Sequence, residues 1–387
     1  MSEKIGKAGR VGVWLAFEVA ALWFTTHVGG GFALGTQETQ YFVRFGNRAF
    51  YLPLFSMAIL AVVFYFAWEF QRLCGIRDYK TFFETLFAPA GKLYMVFYDI
   101  AFTITVLLAA GATLAGFGNA LGGLLGGLKI PLWLGYILGA VVVYLFASYG
   151  LKRVLDSSAW MSFGIIVVVI LLVVFRLPTI APNLKNVPAT TPLFGPSFFQ
   201  SPFWFMLMYG SFQVCSIGSY INGGAVLKTH KDSVMAAVLG FLINGLMLVG
   251  MCLVLAGNYP AVVKDAAPTL SIIKEMSPVF SILYNLMLLC ALVTTAVSMI
   301  HANAQRWSTY GKGAKGRWGD DKFRLRVWTV VWIVACWAVS NLGIVTIVKR
   351  GYGLLGYIGI IVIVLPVLIV APRKIVQKRR ELVQAAA

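Results

Sequence analysis

The chain has 387 residues, 59% of them hydrophobic and only 12% charged, where a soluble domain carries roughly 25% charged residues. Its formal charge of +18 argues for no nucleic-acid partner, because the basic residues sit in short segments between apolar runs and build no extended basic surface. Five widely spaced cysteines without a CxxC pair indicate neither a disulfide framework nor a zinc site.

This composition predicts an all-α integral membrane protein, in which each crossing needs about 20 apolar residues. Taken in chain order, the ten expected transmembrane helices are 11–45, 49–72, 92–119, 131–150, 157–177, 200–227, 233–257, 278–304, 325–346 and 349–371. The first carries Glu18 and no small-residue cleavage site, so it reads as a retained span and not as a secretion signal. Segment 178–200 reads as the largest external loop and 266–278 as a short helix outside the membrane. With both termini cytoplasmic, 23 Lys and Arg fall on the inner side and 9 on the outer, as the positive-inside rule requires. The expectation is a single transmembrane domain in the plasma membrane, the inner membrane of a bacterium. Its five-helix halves, about 11–177 and 200–371, are inverted relative to each other.

Two spans are interrupted. The first contains HVGGGFALGTQE (27–38), with three consecutive glycines and a carboxylate at membrane depth; the sixth contains YGSFQVCSIGSYINGG (209–224). A single such stretch is explained by close helix packing. Two of them, at corresponding places in two halves, predict helices that unwind around a binding site.

The string GGGFALGTQETQYFVRFG (29–46) resembles the Gly-Phe-Ala-x-Gly-Gln-Glu signature in the first span of YkvI-type bacterial membrane proteins, with Thr36 standing between Gly35 and Gln37. YGSFQ (209–213) is similar to that family's Tyr-Ala-Ser-Tyr-Asn pattern, with Gln213 in place of asparagine. The family is assigned to amino acid permeases of the amino acid-polyamine-cation superfamily. The resemblance implies the LeuT-like 5+5 inverted repeat with broken helices 1 and 6. In span eight, ALVTTAVS (291–298) resembles the segment that completes a sodium site in sodium-coupled transporters of this fold. It implies, as ligands, the carbonyl of Ala291, the hydroxyls of Thr294 and Thr295, and the carbonyls near Thr25 and Val28. Positions 291, 294 and 295 share a helix face, and sodium, a hard cation, favours oxygen ligands. The plainer reading is that both threonines bond to the preceding turn of their own helix. Proton-coupled relatives can place a span-five lysine at that position; span five here (159–175) has no ionisable residue.

For the substrate, the amides of Gly29, Gly30 and Gly31 at the start of a half-helix suit a carboxylate. Gln37 follows in the same stretch, and Tyr209, Ser211, Phe212 and Gln213 offer side-chain bonds and an aromatic wall. Glu38 can pair with a substrate amine, carry a proton, or brace the two halves. Glu18, Glu69 and Asp99 are coupling or gating candidates. Each also has a structural reading, Glu69 beside Arg72 and Asp99 beside a hydroxyl or tyrosine. His27 adjoins the break, where it can line the inner path; the plainer reading is a satisfied core histidine. The expected function is secondary active transport of an amino acid or similar small zwitterion, with sodium as the coupling ion and no other cofactor. Competing readings are a proton-coupled permease, an exporter of a cationic amine using Glu38, and a transporter-fold sensor. Neither an HExxH nor a Gly-x-Ser-x-Gly motif is present, which argues against an enzyme.

Overall fold

The computed structural model describes residues 2–125, 131–148, 150–188, 192–195, 197–265, 267–342 and 346–386. Helices and their connections account for all of them, with no β-strand among the described residues. The first crossing is α1 (Ser2–His27) followed by two short helices, α2 (Gly30–Ala33) and α3 (Thr36–Tyr41). A 3₁₀ segment, Val43–Phe50, leads into α4 (Leu52–Cys74), α5 (Tyr79–Leu86), α6 (Gly91–Leu124), α7 (Leu132–Ala147) and α8 (Leu151–Asn183). The second half opens with α9 (Pro202–Val214) and α10 (Ile217–Gly224), again one interrupted crossing. Then come α11 (His230–Ala256), α12 (Pro268–Lys274), α13 (Pro278–Trp307) and α14 (Asp321–Ser340). The last crossing joins α15 (Tyr352–Gly359) and α16 (Leu365–Ala386) through a π-helical turn, Ile360–Val364.

Seven described helices are long and apolar enough to cross a membrane. α7, at 16 residues, and the two interrupted segments make up the remainder of the expected set. Local chemistry sets the helix starts. Proline opens α4, α9, α12 and α13, where its missing N–H costs nothing. A reciprocal Thr229–Asp232 capping box opens α11.

Both chain ends lie on one face of the bundle. Gly12 abuts the Asp232 carboxylate at the start of α11, and Arg379 in α16 reaches Glu69 and His230. We call this the terminal face. From it α1 runs inward, whereas α9 starts at the opposite face and α10 ends at the terminal one, so the two interrupted crossings are antiparallel. Large apolar side chains such as Trp133, Trp160, Val279 and Ile361 point outward, the surface that lipid covers.

Two expectations change in detail. Segment 178–200 is loop only in part, because α8 continues through Pro178 and Pro182 to Asn183. Its end is docked: Asn183 donates to the Gly257 carbonyl at 3.0 Å and Arg176 to Asn258 at 2.8 Å. Such tertiary contacts hold a helix that its prolines would otherwise end. α5 was not expected. Asp78 caps it by accepting from the Thr81 amide at 2.9 Å, and Tyr79, Phe82, Phe83 and Leu86 bury one face.

Candidate functional site

The first interruption begins where α1 stops at His27. Gly29 is extended (φ −79°, ψ −168°), and its amide turns back to the His27 carbonyl at 2.8 Å. The Thr25 and Thr26 carbonyls thereby lose the amides that a continuing helix would supply. Span eight replaces them. Thr295 Oγ1 donates to the Thr25 carbonyl at 2.9 Å, with the Thr26 carbonyl at 3.3 Å; Thr294 Oγ1 lies 3.2 Å from the same Thr25 oxygen. Thr294 also bonds its own helix, at Cys290 (2.9 Å) and Ala291 (3.1 Å). A methyl group on Gly29 would sit 3.2 Å from both Thr295 Oγ1 and Cγ2, so only a bare backbone lets the two elements meet without adjustment.

The half-helix beyond the break is itself kinked. Gly35 adopts φ +77°, a left-handed conformation that glycine tolerates, and α3 then leads off with Gln37 and Glu38. The kink is held from outside: the Thr269 amide of α12 donates to the Leu34 carbonyl at 3.1 Å, and the Tyr284 hydroxyl donates to the Ala33 carbonyl.

The second interruption is tighter. Cys215 and Ser216 make a turn between α9 and α10, with Ser216 N bonding Gln213 O at 3.1 Å and Ser219 N bonding Ser216 O at 2.9 Å. Tyr98 of α6 inserts its hydroxyl here. It accepts from the Gly218 amide at 2.6 Å and faces the Cys215 carbonyl at 3.4 Å.

Both interruptions open onto one cavity, with Thr26, His27, Gly29, Gly30 and Gln37 on one side and Phe212, Gln213 and Ser216 on another. Thr105, Ala109 and Thr113 of α6, Thr295 and Met299 of α13, and Tyr352 and Leu355 of α15 complete it. Phe212 lies flat on Tyr352, 4.8 Å between centroids at 15°. The space that water-sized molecules can reach in it is only about 20 Å³. An occupant larger than an ion or a water therefore requires the lining to move.

Of the nine residues expected to meet substrate, Gly29, Gly30, Gln37, Phe212 and Gln213 line this cavity. Gly31 is covered by the Gln37 side chain, which a Cβ on Gly31 would strike. Gln37 Oε1 is buried and finds no hydrogen-bond partner among the described residues. Tyr209, Ser211 and Glu38 lie outside the lining. Glu38 is fully buried, neither oxygen finds a partner from another described residue, and it lies in the electrostatic neighbourhood of Tyr209, Cys252 and Tyr284. Among the expected cation ligands, Thr25, Ala291, Thr294 and Thr295 cluster, whereas no described contact brings the Val28 carbonyl to them.

His27 lines the cavity and is also a hub whose partners the sequence does not announce. Its Nδ1 lies 2.6 Å from Asn244 Oδ1 and its Nε2 2.7 Å from the Tyr209 hydroxyl. Asn244 spends its own amide N–H on the Gly240 carbonyl at 2.8 Å, so Oδ1 accepts from His27 Nδ1 and Nε2 accepts from Tyr209. The cavity residues of α6 were missed. Thr105, Ala109 and Thr113 recur at helical spacing in an otherwise apolar run, and that spacing was the available signal.

The three remaining acids sit nearer the terminal face. Asp99 is held by Arg306 through contacts of 2.7 and 3.2 Å, with the Tyr79 hydroxyl at 3.4 Å. Beside this pair, Asn222 at the end of α10 bonds Gln305 at 3.0 Å and the Tyr79 amide at 3.1 Å. Glu69 is fully buried and bound by Arg72 (2.8 Å), Arg379 (2.7 Å) and His230 (3.3 Å). Glu18, also buried, lies near Trp14 and the Lys152–Asp156 turn of α8. None of the three reaches the cavity lining.

No family model matches this sequence, and no curated protein matches it. Solved structures do. The substrate-bound outward-open state of a Na⁺-coupled sialic acid symporter aligns with a TM-score of 0.66 at 13% identity, over 92% of this chain and 79% of that one. MhsT in complex with L-phenylalanine gives 0.63 at 16%, over 94% and 97%. A manganese transporter of Eremococcus coleocola gives 0.58 at 15%, over 92% and 78%. At these identities the likeness establishes the fold, which is LeuT-like with broken helices 1 and 6. The three differ in what they are described as carrying or binding, so the fold alone does not name a substrate.

Proposed function

We propose that this chain is a sodium-coupled secondary transporter of an amino acid or similar small zwitterion, of the kind found in YkvI-type proteins. It lies in the plasma membrane with both termini cytoplasmic. Its two halves, about 11–177 and 200–371, rock about the central cavity to give alternating access. One observation carries this reading: the Thr25 carbonyl, released by the break in span one, is gathered with Thr294 and Thr295 Oγ1 beside the cavity. With the Ala291 carbonyl this is an all-oxygen donor set suited to sodium. Because Thr295 and Gly29 both line the cavity and Thr295 holds the Thr25 carbonyl, ion and substrate occupancy act on the same backbone and are linked reciprocally.

The substrate reading rests on complementary polar groups. The Gly29 amide is taken by the His27 carbonyl, so the Gly30 amide is the one offered to a carboxylate, and the unpartnered Gln37 Oε1 suits an ammonium. A thermal-shift screen of the purified protein against amino acids and amines, in sodium and in potassium, tests this. A zwitterion that stabilises the protein more in sodium is expected; stabilisation independent of sodium would overturn the coupling.

A second reading has its own observation. The buried and unpartnered Glu38 is too costly to ionise without compensation, which supports a proton carried at Glu38. Uptake that follows a pH gradient, ignores sodium, and is lost in Glu38→Gln would favour it.

A further inference from the structure

We infer that the cleft between spans two and seven is a binding site for an anionic phospholipid, with an acyl chain in the cleft and the head group on the basic cluster at its terminal end. The cleft is wholly apolar. Ala58, Ala61 and Tyr65 of α4 and Ala237, Val238 and Phe241 of α11 line a groove of about 390 Å³, open along one side. The small side chains on both helices leave a trough where larger ones would have filled the gap. In a bilayer such a trough takes a lipid chain, since no water-exposed alternative exists at that depth.

A second observation makes this more than a gap between helices. Tyr65 closes the terminal end of the groove, its ring 6.0 Å from the His230 ring. Immediately beyond lies the cluster around Glu69. That carboxylate is buried and holds Arg72 on its own helix and Arg379 from α16, with His230 at 3.3 Å. Two guanidinium groups against one carboxylate leave a net positive charge before His230 is counted. The cluster is also reachable: the side chains of Arg379 and His230 are 47% and 49% exposed, and Lys231 beside them is exposed. Glu69 takes only Nη2 of Arg379, and a guanidinium with five N–H donors and a half-exposed side chain keeps others for a phosphate. Apolar trough, amphipathic tyrosine and fixed cations thus follow one another along one line. That order matches a phospholipid entering from the membrane, chain first and phosphate last.

A second copy of the chain fits the same groove less well. Two-fold pairing about an axis normal to the membrane would bring Arg379, His230 and Lys231 against their own symmetry mates at the same depth, and like charges facing each other are unfavourable.

Native mass spectrometry of the full chain, released from micelles doped with phosphatidylglycerol or phosphatidylcholine of identical chains, tests the inference. The wild type should retain one phosphatidylglycerol per chain in preference to phosphatidylcholine. Arg379→Gln should lower that preference about fivefold, the effect of the ~1 kcal/mol that one basic residue contributes near an anionic head group. Ala61→Phe, which fills the trough, should lower retention of both lipids. Should Arg379→Gln melt early because Glu69 has lost a partner, the exposed Lys231→Gln carries the same expectation in the same direction. Equal retention of the two lipids by the wild type would overturn the proposal. So would unchanged phosphatidylglycerol retention in Ala61→Phe, or a dimer of the wild type that Ala61→Phe dissociates.

Discussion

The two interrupted crossings look alike in sequence and differ in how their backbone is satisfied. In the span-six break, Tyr98 from α6 takes up the Gly218 amide and faces the Cys215 carbonyl. In the span-one break, the Thr25 and Thr26 carbonyls receive only hydroxyls from Thr294 and Thr295, and Gly29 and Gly30 border the cavity. The first arrangement is complete within the protein. The second uses groups that a cation can take over, because a hydroxyl oxygen that donates to a carbonyl can instead join that carbonyl in coordinating an ion. A break in a membrane helix therefore marks a ligand site only when its polar groups are not already consumed by a fixed side chain.

Several substitutions separate the two breaks, starting with the largest effect. Gly30→Leu places a side chain in the cavity beside the first break and is expected to abolish substrate binding, measured by thermal shift, while the protein stays folded. Retained binding would move the site elsewhere. Tyr98→Phe should act in the opposite manner. It removes the acceptor of a buried amide, costing about 1–3 kcal/mol and lowering the melting temperature by a few degrees, while the sodium response persists. Loss of the sodium response in Tyr98→Phe would mean that the second break is also part of the ion site. The smallest effect is expected from Glu38→Gln. Replacing a buried, unpartnered carboxyl by a neutral amide of the same shape should leave the melting temperature unchanged or slightly raised and the sodium dependence of uptake intact.

Much of the architecture was legible in the sequence because lipid imposes a strict code. Apolar length marked the spans, and the clustering of Gly29, Gly30, Gly31 and Gln213 in apolar surroundings marked both interruptions. Thr294 and Thr295 were matched to Thr25 through the resemblance of span eight to a known sodium-site segment, which their shared helix face and oxygen donors made chemically sensible. What stayed hidden was relational. Nothing near His27 in the chain announces Asn244 or Tyr209 as its partners, and Tyr98 reads as one more aromatic until the Gly218 amide is set against it. The kink at Gly35 also escaped the sequence, since it depends on Thr269 and Tyr284 arriving from more than 200 residues away. It takes Glu38 off the straight helical path and leaves it outside the cavity lining.

The central claim is that the carbonyls freed in span one and the hydroxyls of span eight hold the coupling ion. It is tested most directly by the affinity for the screened substrate in sodium and in potassium, in the wild type and in the double variant Thr294→Val/Thr295→Val. The exchange removes two oxygen ligands at nearly constant volume. In the wild type sodium should tighten the substrate by about 5–150-fold, the usual range of coupling between two sites. The double variant should bind equally in both salts, at the affinity of the wild type in potassium. A double variant that keeps the full sodium effect would contradict the account and reduce the two threonines to helix packing.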